Sequence, residues 1–307
     1  MMKIDPRRLL DVLAVARHGS FSGAAEATGV SQPALSQSIA LLERELGVRV
    51  MERGRHGARL NQAGDALVFH ARALENLIER AEEEMRLRAR GVLGPLAIGV
   101  TPITTVGLVP QALDLLLGET PDVAVKVTEG LDDEILAMLK TRELDLLVSR
   151  LGQGSLEGEV ESERLFFADW SLVVRPDHPL AEREMISLRE LRDLHWVLPA
   201  GGSAFRKQME LVFEGAGIDW PIGGISTNSI LAIKAIVMST DCATIISQRL
   251  VAVEIAAGRL KAIALGDVGP LKPVGLMWRR GEKLSPLAER FANLMRRLAR
   301  DDPDPAF

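Results

Sequence analysis

SFSGAAEATGVSQPALSQSIALLEREL, residues 20–46, is the stretch whose reading decides how the chain begins to fold. Ser20 is placed to cap a short helix carrying Phe21, Ala24, Ala25 and Ala27. Gly29 then supplies the permissive backbone that a sharp turn between helices requires. Ser31 can cap a second helix, with Pro33 in its first turn, where a missing N–H costs little. From there Leu35, Ile39, Leu42 and Leu46 recur at spacings of 4, 3 and 4, the stripe of a half-buried helix. Ala24 and Ala25 are small enough for the two helices to cross closely. The opposite face of the second helix carries Gln32, Ser36 and Gln37. A Gln amide can pair bidentately with an adenine edge, and a Ser hydroxyl can donate or accept. The face therefore suits base reading, although an ordinary helical hairpin with a polar surface shows the same residues.

The flanks favour DNA. Leu9, Leu10, Val12, Leu13 and Val15 make a preceding apolar helix, which completes a three-helix core. Downstream, VRVMERGRHGARLNQAG (residues 48–64) places Arg49, Arg53, Arg55 and Arg59 among Val50, Gly54, Gly57 and Leu60. That pattern predicts a β-hairpin wing able to lay arginines on phosphates or in a minor groove.

With GSFSGAAEATGVSQPALSQSIALLERELGV and MERGRHGARLNQAG in view, residues 7–70 resemble the winged helix-turn-helix of LysR-type transcriptional regulators. The likeness continues in outline to the C-terminus. It implies a winged helix-turn-helix over residues 1–61, rich in helix, and a dimerising linker helix over 62–90. Residues 91–307 would form an α/β effector-binding domain resembling periplasmic binding proteins, with lobe I at 92–162 and 268–307 and lobe II at 163–267. The expected DNA contacts are Ser31, Gln32, Pro33, Ser36 and Gln37 on the second helix, and Arg53 and Arg55 on the wing. Three positions depart from the family pattern. Gln37 stands where arginine is frequent, Met51 replaces a usual Phe, and Asn61 replaces a usual Thr that caps the next helix. Asn caps equally well, so no change is expected there.

Composition agrees with such a regulator. The 307 residues allow two or three compact units, and 47% hydrophobic content suffices for buried cores. No apolar run is long enough to span a bilayer. MMKIDPRRLLD lacks the apolar core of a signal peptide, so a cytoplasmic location without membrane contact is expected. The single cysteine, Cys242, excludes an internal disulfide and a cysteine metal cluster. Residues 1–60 carry nine Lys and Arg against six Asp and Glu, while the whole chain is at −5. A basic N-terminal unit on an acidic protein fits localised DNA contact.

Gln62 to Ala89 contains no proline, and Gly64 is its only glycine. Leu67, Ala71, Leu74, Ile78, Ala81 and Met85 recur at heptad spacing, with charged residues on the flanks. About 28 residues of helix span roughly 40 Å, longer than a small DNA-binding unit. The expectation is a homodimer through this helix, and the resemblance implies a homotetramer. Double-stranded promoter DNA, a small-molecule effector and RNA polymerase are the other expected partners.

Beyond the Gly91–Pro95 break, strands and helices alternate. LAIGVT (96–101), VAVKVTE (123–129) and DLLVSR (145–150) are strands, with helices near Val106–Leu117 and Asp132–Thr141 between them. This βαβαβ order predicts a parallel, doubly wound sheet. A second set follows in WSLVVRP (170–176), HWVLP (195–199) and CATIIS (242–247), with helices at Ser203–Glu214 and Ser229–Met238. KPVGLMWRR (272–280) and a helix at Ser285–Arg300 close the chain. Ligands of such sheets bind at strand C-termini and helix N-termini. The candidate effector contacts are therefore Thr101, Pro102, Thr104, Thr128 and Arg150 on one lobe, and Gly202, Ser203, Phe205 and Thr227 on the other. Arg150, after an apolar strand, could grip a carboxylate bidentately, or form a hinge salt bridge instead. WVLPAGGSAFR and STNSILAIKAIVMSTDCATIIS resemble a subgroup that includes the galactose-binding-protein regulator and regulators of aromatic-acid metabolism. That implies an aromatic or organic acid, or a sugar, as effector.

No catalytic site, metal site or cofactor is expected. The five histidines show no ligand spacing, and no nucleophile or nucleotide motif sits in a strand–helix context. A rival reading from another class is a cytosolic small-molecule-binding protein with an N-terminal interaction module and no promoter-specific role.

Overall fold

The N-terminal helices begin and end where the sequence offers caps. α1 (Pro6–His18) starts at Asp5, whose carboxylate accepts from the Arg7 N–H at 3.0 Å. α2 (Phe21–Thr28) is capped by Ser20, accepting from the Gly23 N–H at 3.1 Å, and stops at Gly29 with φ 72°. α3 (Gln32–Leu46) opens at Ser31, which accepts from the Ala34 N–H at 3.3 Å. The wing is β1 (Met51–Gly54) paired antiparallel with β2 (Gly57–Leu60), Met51 opposite Leu60 and Glu52 opposite Arg59. Val12, Leu13, Val15, Ala24, Ala25, Leu35, Ile39 and Leu42 form one buried core with Val50 and Met51 of the wing. Met51 thus fills the packing position expected for a Phe. Glu43 fastens α3 to the wing by accepting from the N–H groups of Val50 and Met51 at 2.8 and 3.2 Å.

α4 (Gln62–Arg88) grows directly out of the wing. Asn61 accepts from the Gly64 N–H at 2.9 Å and donates its side-chain amide to the Arg49 carbonyl at 2.9 Å. A single residue so caps the helix and ties it to the wing's approach. A Cβ on Gly64 would fall 2.1 Å from the Val50 carbonyl oxygen, so only glycine permits this approach. Gly64, Val68 and Ala71 are buried, and the last two belong to the N-terminal core. Leu67 packs against the same core, so the first two residues of the heptad stripe, Leu67 and Ala71, are spent on the chain's own head. Farther along, Leu77, Ile78 and Met85 are 48%, 41% and 58% exposed.

The computed structural model describes residues 4–54, 57–152, 158–201, 204–221, 223–268 and 273–301. Two compact units emerge: residues 1–95 with 140–143, and residues 96–139 with 144–307. The second unit opens with β3 (Leu93–Val100), α5 (Pro102–Thr105), α6 (Leu108–Glu119), β4 (Val123–Glu129), α7 (Asp132–Lys140), β5 (Leu146–Arg150) and β6 (Val160–Phe166). It continues through β7 (Ser171–Val174), β8 (Met185–Ile186), β9 (Val197–Pro199), α8 (Ala204–Gly215), β10 (Ile225–Thr227), α9 (Ile230–Ser239), β11 (Thr244–Ile246), α10 (Ala252–Ala256) and β12 (Lys261–Leu265). β13 (Val274–Arg279) and α11 (Pro286–Asp301) complete it.

The first lobe is a five-stranded sheet in the order β4-β3-β5-β13-β6. Residue alternation divides its two faces. Leu96, Ile98, Val100, Leu146, Val148 and Leu276 join the cluster that holds Leu116 of α6 and Phe291 of α11. Ala97, Leu147 and Met277 pack with Ile135 and Leu139 of α7. Gly99 lies on the α7 side, where a Cβ would meet Leu147 and Leu144 side chains at 2.3 and 2.6 Å. The expected parallel pairing is present, and a returning strand is added to it. β3 and β5 are parallel, but β13 is antiparallel to both β5 and β6. β13 arrives after the chain has built the second lobe, so it enters the sheet from the opposite end. The second lobe carries a sheet β11-β7-β12-β8 and the parallel pair β10-β9. The whole chain therefore joins a helix-rich winged head to a two-lobed α/β domain.

Candidate functional site

The residues expected to read bases gather at the start of α3. Ser31, Gln32, Pro33 and Gln37 are exposed, and Ser36 is half-buried, while Leu35, Ile39 and Leu42 turn into the core. Gln32 stands in the first turn, and its side-chain carbonyl accepts from the Ser22 hydroxyl at 3.4 Å. Ser38, on the inner flank, donates instead to Asp11 of α1. Arg8 pairs with Glu45 at 2.5 Å, and Arg17 meets Glu75 of α4 through two bonds of 3.2 and 2.6 Å. The Ser38 and Glu45 contacts fix the helix that carries Gln32 against α1, and the Arg17 pair ties α1 to α4. On the wing, Arg49 and Arg59 are exposed, and Glu52 is the cross-strand neighbour of Arg59. The backbone of Arg53 lies in β1; its side chain and all of Arg55 lie outside the described residues.

The second unit holds a cavity of about 430 Å³. Thr101, Pro102 and Ile103 line it from the end of β3, Gly130 to Asp132 from the start of α7, and Arg150 from the end of β5. Pro199 to Gly201, Ser226 to Asn228, Ile230, Ile233 and Leu250 close it from the second lobe. Strand C-termini and helix N-termini meet there because side chains beyond a strand's last pair are the ones left to face a ligand. Asp132 and Arg150 pair at 3.1 Å with side chains only 9% and 7% exposed. Ser149 donates to the other oxygen of Asp132 at 2.9 Å. Thr101 is 1% exposed, and its hydroxyl has no hydrogen-bond partner among the described residues. Opposite the first lobe, α9 begins at Ser229, which accepts from the Ala232 N–H at 3.2 Å, while the Thr227 hydroxyl accepts from the Ser229 N–H at 3.2 Å.

Sequence profiles match both units. Residues 6–65 match the bacterial regulatory helix-turn-helix protein, lysR family, and residues 89–300 match the LysR substrate binding domain. The chain belongs to the LysR family. It is a DNA-binding transcription regulator. Among curated relatives, the uncharacterized HTH-type transcriptional regulator YdcI of Escherichia coli is 28% identical over 296 residues, 96% of each chain. The SDS degradation transcriptional activation protein of a Pseudomonas species is 32% identical over 295 residues, 95% of each. The crystal structure of the LysR family regulator CbnR superposes with a TM-score of 0.67 at 25% identity, covering 96% of this chain and 99% of CbnR.

Within this LysR chain, the structure brings Thr101, Pro102, Arg150 and Thr227 to one cavity. Thr104 is buried, and its hydroxyl donates to the Thr101 and Val148 carbonyls at 2.9 and 2.8 Å, so it serves the backbone. Thr128 is half-buried in β4 and is not among the lining residues. Gly202, Ser203 and the Phe205 side chain lie outside the described residues. Asp132, Ile233 and Leu250 escaped sequence reasoning. Asp132 looks like an ordinary acidic residue of a helix's first turn. Leu250 comes from a single 3-10 turn, Gln248–Val251, with no local signal. Ile233 could have been found from the apolar face it shares with Ile230 and Val237 on α9.

Proposed function

We propose that this LysR regulator senses a small organic acid with an apolar, preferably aromatic, body in the cavity between its lobes. The observation that carries the reading is the buried Thr101 hydroxyl, which has no hydrogen-bond partner among the described residues at the cavity wall. A buried polar group without a partner costs about 1–3 kcal/mol, which a ligand oxygen relieves. The N-terminus of α9 opens onto the same cavity, and helix N-termini favour anions. Ile103, Leu131, Ile230, Ile233 and Leu250 offer an apolar wall to the rest of the molecule. A sugar would present hydroxyls to that wall and leave them unpaired. Arg150 already meets the Asp132 carboxylate, so an incoming acid shares the guanidinium rather than finding it unopposed.

DNA reading belongs to α3 and the wing, acting where chromosomal DNA is, in the cytoplasm. Two heads joined through the outer half of α4 read two half-sites, and further pairing gives a tetramer. The acid changes DNA binding only through different affinities for two arrangements of the protein.

Thermal melts of the whole chain with benzoate, salicylate, short aliphatic carboxylates, glucose and galactose test the reading. Acids are expected to raise the melting temperature by mass action. Thr101→Val should weaken that response by about 1.5–3 kcal/mol, the worth of a hydrogen bond to a charged group. Stabilisation by the sugars and not by the acids would overturn it.

A further inference from the structure

β9 joins two cavities. Its last residue, Pro199, lines the effector cavity. The residue before its first, Trp196, lines a second cavity of about 380 Å³ on the second lobe, with Leu188, Leu191, Phe213, Ile218 and Trp220. Trp196 is 2% exposed, yet its indole N–H has no hydrogen-bond partner among the described residues. Buried tryptophans ordinarily satisfy that donor. The rings around it are arranged as a cage. Trp196 meets Phe213 edge-on at 5.9 Å, and Phe213 meets Trp220 at 5.1 Å. Arg192 and Asp219 also line the cavity, and both are exposed. Their opposite charges select for neither an anion nor a cation.

Arg206 of α8 connects this cage to the effector cavity. Its guanidinium lies 3.6 Å from the centre of the Trp220 ring and donates to the Pro199 carbonyl at 3.0 Å. Glu210 holds the same group at 2.6 Å. A ring wedged against Trp220 acts on the arginine that steadies the effector-cavity wall.

We propose that the Trp196 cavity is a second ligand site, separate from the effector cavity, for a flat aromatic molecule bearing a neutral hydrogen-bond acceptor. The acceptor takes the Trp196 N–H and the ring packs against Phe213 and Trp220. Such a ligand is uncharged, unlike the acid assigned to the effector cavity, so the two sites answer to different chemistry. Arg206 makes occupancy of one felt by the other.

The probe is benzamide, with cyclohexanecarboxamide as a control that keeps the acceptor and loses the flat ring. The full chain labelled with 5-fluorotryptophan gives four fluorine lines, one for each tryptophan, assigned through single Trp→Phe variants. Benzamide is expected to displace the Trp196 and Trp220 lines saturably, with cyclohexanecarboxamide far weaker. The displacement should persist in Thr101→Val, which alters only the effector cavity. Trp196→Phe should weaken benzamide, followed on the Trp220 line, by about three- to tenfold, the loss of one hydrogen bond. Should that variant fail to fold, Ile218→Phe, which fills the cavity from its half-buried side, must abolish the displacement. No saturable displacement, a displacement lost in Thr101→Val, or unchanged affinity in Trp196→Phe would overturn the site.

Discussion

Gln32 and Arg150 show how a side chain's neighbours set what it can do. Gln32 is exposed in the first turn of α3, and its amide is steadied by Ser22. Gln32→Ala should weaken operator binding by about 1–3 kcal/mol while sparing random DNA; gel shifts on both decide it, and equal losses would remove its base-reading role. Arg150 sits in a buried pair with Asp132. Arg150→Ala strands that carboxylate and should cost about 3–5 kcal/mol of stability, whereas adding Asp132→Ala should restore much of it. Urea melts of the single and double variants measure the difference, and additive losses would refute the coupling. The position of Arg150 was legible, since an arginine ending an apolar strand falls where ligands bind. Its partner was not: Asp132 is 18 residues away and reaches Arg150 only because β5 and α7 lie side by side.

At the scale of elements, the junction of α4 with the wing leaves no room for a side chain at Gly64. Gly64→Ala would drive a methyl into the Val50 carbonyl. It should cost about 1–3 kcal/mol, read as a lower melting temperature together with weaker DNA binding. The turn after β7 carries a pH response. His178 is buried, and its Nδ1 accepts from the Leu180 N–H at 3.2 Å, which requires the neutral ring. Burial holds its pKa below the ordinary 6.5, with Asp241 opposing and Arg175 assisting. The unfolded chain therefore takes up this proton first. Stability from His178 is full above pH 6.5 and declines as pH falls from there toward the folded value. His178→Asn keeps an acceptor and should flatten the slope in urea melts across that window; an unchanged slope would assign it to another group. The longer helices were legible within a residue or two because caps and apolar stripes are local, whereas the short α5 and α10 were not read. The two-residue β8 and the direction of β13 were not legible, since β8 is too short to carry a pattern and β13 takes its direction from the lobe the chain has just left.

For the whole molecule, Leu77, Ile78 and Met85 remain exposed on α4 after the head has covered Val68 and Ala71. Ile78→Glu should turn a dimer into monomers in sedimentation runs and abolish two-site operator binding; an unchanged mass would move the pairing surface elsewhere. Heptad spacing disclosed Ile78 and Met85, but neither Leu77 nor the service of Leu67 and Ala71 to the chain's own core. This division has a practical bearing on building hybrid regulators. A swap of reading heads cut at Asn61, where caps and composition invite the cut, would separate Val68 and Ala71 from the core they complete. The exchangeable cartridge includes about the first four turns of α4, and a splice that respects it belongs beyond Glu75, past the arginine clasp from α1.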